Sequence, residues 1–362
     1  MSTAPSDSIS KRIQERIRRV IDLHFDTLNG SAYWIEKSKV VGIRAEHIKT
    51  FSDLALLGPM DARAMAERPV EDFVPRVLHE SRRNWILSET GGTLGRPKFS
   101  VHGQVEFEAA FVTPFVSAAK KAGFPEAKSW LFIGPGGPHI IGKAARACAH
   151  ALNSPDPFSI DFDPRWARKL PADSLARQRY LNHLEVQALN VLNSQKVGVL
   201  FATPPVLASL ADKVAPRIRE QIKGIHFGGM TVSSELRSKL AQFYPNAIQL
   251  SGYGNSMLGV APELHYDPAD GIDYYTQGVR LIYQIIPMHT DRFNSILPYG
   301  ERGHILAHRL DETQLILNLI ERDTAIRIPS REDASSHDFV LDGIRDPQPF
   351  RNVETQAVSG LY

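Results

Sequence analysis

The sequence is almost without cysteine: Cys148 is the only one among 362 residues. A single thiol excludes an intramolecular disulfide and a cysteine-rich metal site, and this fits a reducing compartment. Cys148 lies in the stretch 144–151, which reads AARACAHA. Its small residues favour a helix that buries an inert thiol.

A strong net charge and long apolar runs are missing as well. Lys and Arg number 42 and Asp and Glu 40, a formal charge of +2. We therefore expect no general attraction to nucleic acid or to an anionic membrane. No apolar run reaches membrane-spanning length, and the polar, then basic, first residues lack the apolar core of a secretion signal. These absences predict a cytoplasmic protein that binds neither nucleic acid nor membrane.

Glycine and hydroxyl residues concentrate in the stretch 88–98, SETGGTLGRPK. Backbone N–H groups, short hydroxyls and a lysine are the groups that surround phosphate oxygens. This is not a Walker loop, because Lys98 follows a proline rather than a glycine. The flanking segments 84–87 and 98–102 have the patterns of short strands, so the loop is predicted to join two strands.

Residues 90–98, TGGTLGRPK, resemble the S-S-G-T-T-G-x-P-K signature of the adenylate-forming enzymes: acyl- and aryl-CoA ligases, peptide-synthetase adenylation domains and luciferases. Leu94 replaces the second Thr of that signature. The resemblance implies ATP and Mg²⁺ as cofactors, with Thr93 and Lys98 in catalysis. It implies that the ATP phosphates are held by Thr90, Gly91, Gly92, Thr93, Gly95 and Lys98. The alternative is an ordinary glycine-rich hairpin.

Beyond the loop, strand and helix patterns alternate up to about residue 261, and strands alone follow from residue 262. A helix over 105–121 is interrupted near Pro114. The resemblance implies an α/β fold, that of the large N-terminal domain of these enzymes. It combines doubly wound parallel sheets with a smaller antiparallel β subdomain. The predicted divisions are a helical region 1–80, α/β subdomains 81–261, a mainly β subdomain 262–341 and a hinge-like stub 342–362.

Two glycine turns follow predicted strands. In the first, PHIIG at 138–142, His139 and Gly142 are similar to the H-x-x-G motif of the family, which lies beside the acyl pocket. The resemblance implies that both residues bind the acid and that His139 is a catalytic residue. The second holds Gly228, Gly229 and Met230 and resembles the G-G-[AE] segment, whose bare backbone lies along adenine and the acid. A structural histidine and a plain strand-to-helix turn are the alternatives.

The stretch 253–257, YGNSM, resembles the Y-G-x-[TS]-E motif. The resemblance implies that Tyr253 and Gly254 bind adenine and that Ser256 is a catalytic residue at the α-phosphate. Met257 stands where a magnesium-binding Glu is expected, and a thioether is a poor ligand for this hard cation. Either ATP and water alone carry Mg²⁺, or ATP activation is impaired. Met257 is then expected beside the acid.

Two further segments complete the order of motifs. Glu321-Arg322-Asp323 is similar to the end of Y-R-x-x-D, which implies that Asp323 accepts hydrogen bonds from the ribose hydroxyls. A surface ion pair is the alternative. Residues 341–346, LDGIRD, resemble the G-R-x-D hinge, with Arg345 displaced by one position but still expected at the nucleotide. Relatives continue into a mobile lid domain, and because this sequence stops at Tyr362 we expect that domain to be absent.

The resemblance implies ATP-dependent activation of a carboxylic acid to an acyl-adenylate, with release of pyrophosphate. Segments 30–34 and 50–54 resemble phenylacetate-CoA ligases, which favours an aromatic acid. Without a lid, we expect transfer to a separate acceptor enzyme, a carrier protein or CoA, as in the single-domain adenylating proteins of phenazine-antibiotic biosynthesis, and a homodimer. An acyl-protein synthetase, a degenerate AMP- or acid-binding protein without turnover, and a truncated ligase remain open alternatives.

Overall fold

The computed structural model describes residues 7–90, 96–171, 173–230, 232–288, 293–331 and 338–350. One large sheet is the centre of the fold, and a mainly helical segment precedes it in the sequence. Among the described helices, none combines the length and the apolar character needed to cross a membrane.

The first helices are α1 (Asp7–His24), α2 (Ala32–Val41) and α3 (Ala64–Glu67), joined by short 3₁₀ turns. Helix α1 forms because apolar residues recur every three or four positions, so that Ile13, Ile17 and Ile21 share one buried face. Its Arg16 Nε donates to the carbonyl of Leu310 at 2.7 Å. The indole of Trp34 likewise donates to the carbonyl of Leu315 at 3.1 Å, so this segment is bonded to strands far along the chain.

Five parallel strands form one part of the sheet. They are β3 (Ser129–Gly134), β4 (Phe158–Asp161), β5 (Val197–Ala202), β6 (Gly224–Gly228) and β7 (Ile248–Asn255). Their spatial order is β4-β3-β5-β6-β7. The helices between them are α6 (Ile140–Ala151), α7 (Pro164–Lys169), α8 (Leu175–Ser194), α9 (Pro204–Ala211), α10 (Pro216–Gln221) and α11 (Ser234–Phe243).

Both faces of this parallel part are covered. Along β3, Leu131 and Ile133 enter one apolar core, while Trp130 and Phe132 enter a second. Successive side chains of a strand point to opposite faces, so the continuous apolar run is explained by burial on both sides.

Antiparallel strands continue the same sheet. They are β8 (Gly259–Asp267), β9 (Gly271–Tyr274), β10 (Leu281–Ile286), β11 (Arg302–Leu310), β12 (Leu315–Ile328) and β13 (Gly343–Pro349). They follow β7 in the order β8-β9-β13-β12-β11-β10, which gives eleven strands in all. The parallel and antiparallel parts are thus hydrogen-bonded to each other, and the predicted division near residue 261 remains a prediction.

A separate hairpin consists of β1 (Trp85–Glu89) and β2 (Phe99–Gly103). Its pairing runs from Trp85 with Gly103 to Glu89 with Phe99, so the two strands predicted beside the glycine-rich loop are present. Helices α4 (Gln104–Phe107) and α5 (Thr113–Ala122) follow, separated by a π-helical turn at Glu108–Val112. The predicted interruption has a physical cause: Pro114 has no N–H to donate to the preceding turn.

Candidate active site

The base of the glycine-rich loop is closed by two hydrogen bonds. Thr90 N donates to the carbonyl of Lys98 at 2.9 Å, and Lys98 N donates to Thr90 Oγ1 at 3.0 Å. The lysine and the threonine predicted at the phosphates therefore lie side by side at the hairpin end. Gly91, Gly92, Thr93 and Gly95 lie outside the described residues, and their phosphate contacts remain predictions.

The hairpin is bonded to the turn that follows β7. Ser256 Oγ donates to the carbonyl of Glu89 at 3.1 Å, and the carbonyl of Ser256 accepts from Ser88 Oγ at 3.3 Å and His102 Nε2 at 3.0 Å. Ser256 is thus placed beside Thr90, as the order of motifs predicts. Its role at the α-phosphate remains a prediction, because in this structure its hydroxyl donates to Glu89.

The turn itself depends on a glycine and an asparagine. A Cβ at Gly254 would collide with the carbonyl oxygen of Gly259, so only glycine permits this close approach. Asn255 Oδ1 accepts the N–H groups of Met257 at 2.9 Å and Leu258 at 3.1 Å. The asparagine side chain thereby fixes the backbone directly after Tyr253.

A buried charge network, formed by Arg280, Arg309 and Asp311, supports this turn. Arg309 is fully buried, and its guanidinium donates to Asp311 at 2.6 Å, Met257 O at 2.8 Å and Val101 O at 2.7 Å. Arg280 donates to Asp311 and, at 2.9 Å, to Leu258 O. Burial alone raises the pKa of Asp311, but Arg280 and Arg309 hold that pKa well below its usual range. The network therefore stays ionised and ties the hairpin to the turn.

Tyr253 and Asp323, which lie 70 positions apart in the sequence, are in contact. The Tyr253 hydroxyl donates to Asp323 Oδ2 at 3.0 Å. Burial raises the pKa of Asp323, while the hydrogen bond from Tyr253 partly lowers it. The structure thus brings together the two residues predicted at adenine and ribose.

Glu321 is a further carboxylate at this place, and the sequence motifs do not single it out. It accepts from Asn255 Nδ2 at 3.3 Å. Burial raises the pKa of Glu321, the charge of Asp323 raises it further and the charge of Lys98 lowers it. The available signal was closeness in the sequence, because Glu321 precedes Asp323 by two residues in the Glu-Arg-Asp segment.

The second glycine turn ends β6 beside β7, where Gly228 pairs with Gly252. Gly229 has φ +76°, in the left-handed region, so the backbone conformation itself favours glycine here. Helix α11 then begins as predicted, since Ser233 Oγ accepts the N–H of Leu236 at 3.1 Å. Gly228 and Met230 are half-buried and Gly229 is exposed, so this backbone is open to a ligand.

His139 occupies the N-cap position of α6 and lines a cleft of about 290 Å³ at the ends of β3 and β4. Phe132, Gly142 and Asp161 also line the cleft. A Cβ at Gly142 would lie 3.3 Å from the carbonyl of Pro135, so this glycine lets the turn pack on α6. The carbonyl of Pro138 accepts the N–H of Glu89 at 3.1 Å, which connects the cleft to the hairpin.

Two predicted site residues have other surroundings. Met257 is only 3% exposed and belongs to the main core, because its apolar side chain packs inward where a carboxylate could not. Its predicted place beside the acid remains a prediction. Arg345 lies on β13, and its guanidinium donates to Asp273 at 2.5 and 3.0 Å and pairs with Asp270 at 3.3 Å. Its ion-pair contacts are on β9 and in the turn directly before β9, and not with Tyr253 or Asp323.

The fit of a magnesium ion depends on hard oxygen donors. No group of three or more His, Cys, Asp or Glu suited to a metal occurs among the residues that the structure describes. Glu321 nevertheless supplies a carboxylate near Lys98. One protein carboxylate suits Mg²⁺ that arrives bound to phosphates and water, because this ion keeps most of its water ligands.

Two solved structures are similar to the chain over nearly all of its length. One is 2-hydroxyisobutyryl-CoA ligase in the postadenylation state in complex with R3-HIB-AMP: 17% identity, TM-score 0.67, 96% of this chain and 68% of that chain. The other is an open conformation of that ligase in complex with 2-HIB-AMP and CoA: 16% identity, TM-score 0.65, 95% of this chain and 75% of that chain. No family model and no curated protein matches. The likeness confirms the predicted α/β fold class.

Proposed function

We propose that this protein belongs to the adenylate-forming enzymes and activates a carboxylic acid with ATP. The observation that carries the proposal is the convergence of Thr90, Lys98, Tyr253, Ser256 and Asp323, which lie on three distant segments. Their order along the chain is that of the family motifs. The fold shared with a ligase that was solved with an acyl-AMP supports the same reading.

The reaction joins two anions, so the protein must offset their repulsion and align them. A carboxylate oxygen of the acid attacks the α-phosphorus, the bond from that phosphorus to the bridging oxygen breaks, and pyrophosphate leaves with the electron pair. Lys98 stabilises the charge on the phosphates and on the departing pyrophosphate. Mg²⁺, when bound with ATP, supplies additional neutralisation of that charge.

The remaining residues bind and orient the reactants. Asp323 accepts from the ribose hydroxyls, and the face of Tyr253 stacks on adenine. The N–H and bare backbone at Gly228 and Gly229 lie along the base. The acid enters the cleft beside His139, where Phe132 and Ile160 offer an apolar wall that suits an aromatic or aliphatic acid. Transfer of the acyl group to a separate enzyme, a carrier protein or CoA, in secondary metabolism such as phenazine-antibiotic biosynthesis, is the accompanying proposal.

The direct test is exchange of labelled pyrophosphate into ATP, dependent on an added acid, followed by mass spectrometry for acyl-AMP. A panel of aryl and fatty acids covers the substrate classes. Lys98→Gln is expected to lower exchange about 100-fold or more, because one charge contact to the reacting phosphates is lost. Lys39→Gln, at an exposed position of α2, is the matched control and should exchange normally.

A binding protein without turnover is the second candidate, and Met257 favours it, because a buried thioether stands where the family motif has a magnesium-binding glutamate. Tight AMP binding with no exchange and no acyl-AMP across the whole panel would support this candidate and contradict the enzyme.

A further inference from the structure

The segment 321–323 has an unusual place in β12. On β11, His304 pairs with Thr324 and Leu306 pairs with Ile320, so three residues of β12 lie opposite a single residue of β11. Such a bulge interrupts the ladder and changes the direction of side chains, and bulges are frequent beside active sites. Here it carries two carboxylates, Glu321 and Asp323, which we call the carboxylate pair.

The carboxylate pair is poorly neutralised by the protein. Its hydrogen-bond partners among the described residues are neutral groups, the amide of Asn255 and the hydroxyl of Tyr253. Two cations act on the pair electrostatically: Lys98 at the hairpin end acts on Glu321, and Arg322 acts on both carboxylates. Arg322 is exposed, so water and salt screen its charge, and the two carboxylates still repel a polyphosphate, because like charges at short range disfavour each other.

A buried hydroxyl near the pair also lacks a partner. Tyr283 is 6% exposed, and its hydroxyl has no hydrogen-bond partner within the described part of the chain. Its ring meets the ring of Tyr253 edge-on, with centroids 6.0 Å apart, and both carboxylates act on it electrostatically. A buried unpaired hydroxyl costs free energy, so its place beside the carboxylates points to a ligand or to that ligand's water shell.

We propose that Glu321 binds the divalent cation that accompanies ATP. The cation would turn the repulsion between the carboxylate pair and the phosphates into attraction, and an oxygen of Glu321 is the ligand type that Mg²⁺ prefers. The Tyr283 hydroxyl is then a hydrogen-bond partner for water held by the ion. This inference rests on the proposed function. It places the metal contact on β12, 64 residues after Met257 by sequence number.

The test compares nucleotide affinity with and without the cation. Calorimetry measures ATP binding in EDTA and in Mg²⁺, AMP binding serves as the metal-independent reference, and the spin resonance of Mn²⁺ reports the ion itself. The variant is the isosteric Glu321→Gln. The matched control is Glu301→Gln, an exposed glutamate in the turn before β11.

In the wild type and in Glu301→Gln, Mg²⁺ is expected to strengthen ATP binding, and Mn²⁺ is expected to give a bound signal with ATP. In Glu321→Gln the metal-dependent gain should fall about 10- to 100-fold and the bound Mn²⁺ signal should vanish. Affinity for AMP, and for ATP in EDTA, should be unchanged or higher, since a repelling charge has been removed.

Three outcomes would overturn the inference and leave ATP binding itself standing. They are an equal Mg²⁺ gain in Glu321→Gln, no gain in the wild type, or loss of AMP binding in Glu321→Gln, which would make Glu321 a direct nucleotide contact. Absence of both ATP and AMP binding in the wild type would instead remove the proposed function and this inference together.

Discussion

Two charged groups contact the segment 253–258, and they differ in how fully they are satisfied. In the buried charge network, Arg309 donates to Asp311, Met257, Val101 and Ser100, and Arg16 and Arg280 donate to Asp311 as well. Each member of the carboxylate pair, in contrast, has one neutral partner among the described residues. The buried charge network is fully hydrogen-bonded and therefore stabilises the fold. In the described part of the chain, the charges of the carboxylate pair are not paired by hydrogen bonds to cations, so they are available to bind a ligand.

The pKa shifts of the carboxylates also differ between the buried charge network and the carboxylate pair. Arg280 and Arg309 hold the pKa of Asp311 well below its usual range, so ionisation of Asp311 stabilises the fold. Burial raises the pKa of Asp323 and of Glu321, so ionisation of these two carboxylates opposes folding. Proteins retain such costly groups where function requires them.

The largest effect is expected from breaking the saturated network. Asp311→Asn keeps the shape but leaves buried guanidinium groups without their counter-charge. It should lower the free energy of unfolding by about 3–5 kcal/mol, measured by urea denaturation. Glu15→Ala, which removes an exposed pair with Lys11, should change it by less than about 0.5 kcal/mol. If Asp311→Asn were as stable as the wild type, the buried charge network would not stabilise the fold, and it would not differ from the carboxylate pair in this respect.

An Asp-to-Asn substitution in the carboxylate pair should change AMP binding rather than stability. Asp323→Asn removes the charge and one of the two acceptor oxygens proposed for the ribose, and it should weaken AMP binding about 10- to 100-fold, a loss of about 1.5–3 kcal/mol. Its free energy of unfolding should stay equal or rise, because a repelling charge beside Glu321 is gone. Calorimetry with AMP and urea denaturation give the two values. If Asp323→Asn were destabilised but bound AMP as tightly as the wild type, Asp323 would stabilise the fold and would not contact the ribose.

The two Asn variants should also diverge with pH, measured in EDTA from pH 3 to 7. Asp311 has a lowered pKa, so the wild type loses stability relative to Asp311→Asn as pH falls below about 3.8, the ordinary value. Asp323 has a raised pKa, so the wild type loses stability relative to Asp323→Asn as pH rises above about 3.8. Parallel pH profiles for the two variants would contradict the assignment of opposite roles.

The smallest effect is expected from Tyr253→Phe, which removes one hydroxyl and keeps the aromatic face. Loss of its hydrogen bond to Asp323 should cost about 1 kcal/mol in unfolding free energy. AMP affinity should change by less than about threefold, because stacking on adenine uses the ring. A loss of binding as large as that of Asp323→Asn would show that the hydroxyl, and not the ring, is the contact that matters.

Much of this arrangement could be predicted from the sequence, because local patterns report local structure. The strands beside the glycine-rich loop, the cap at Ser233 and the alternation of strands and helices all follow from periodicity and turn chemistry. The order of motifs also anticipated the contact between Tyr253 and Asp323.

The remaining features depend on distant contacts that no local pattern contains. Arg309 joins β2 to the turn after β7, and Glu321, in the bulge of β12, is close enough to Lys98 for their charges to interact. Met257 and Arg345 were predicted at the site because they occupy motif positions, yet core packing and Asp273 respectively determine where their side chains lie. A motif position in the sequence predicts which part of the fold a residue lies in, whereas tertiary packing determines where its side chain points.

The most direct measurement is a crystal structure of this protein with AMP. We predict that both ribose hydroxyls lie within hydrogen-bond distance of the Asp323 carboxylate, with the adenine against Tyr253 and the phosphate toward Lys98. AMP bound in another cleft, with the carboxylate pair untouched, would contradict the claim that unsatisfied charge marks the site.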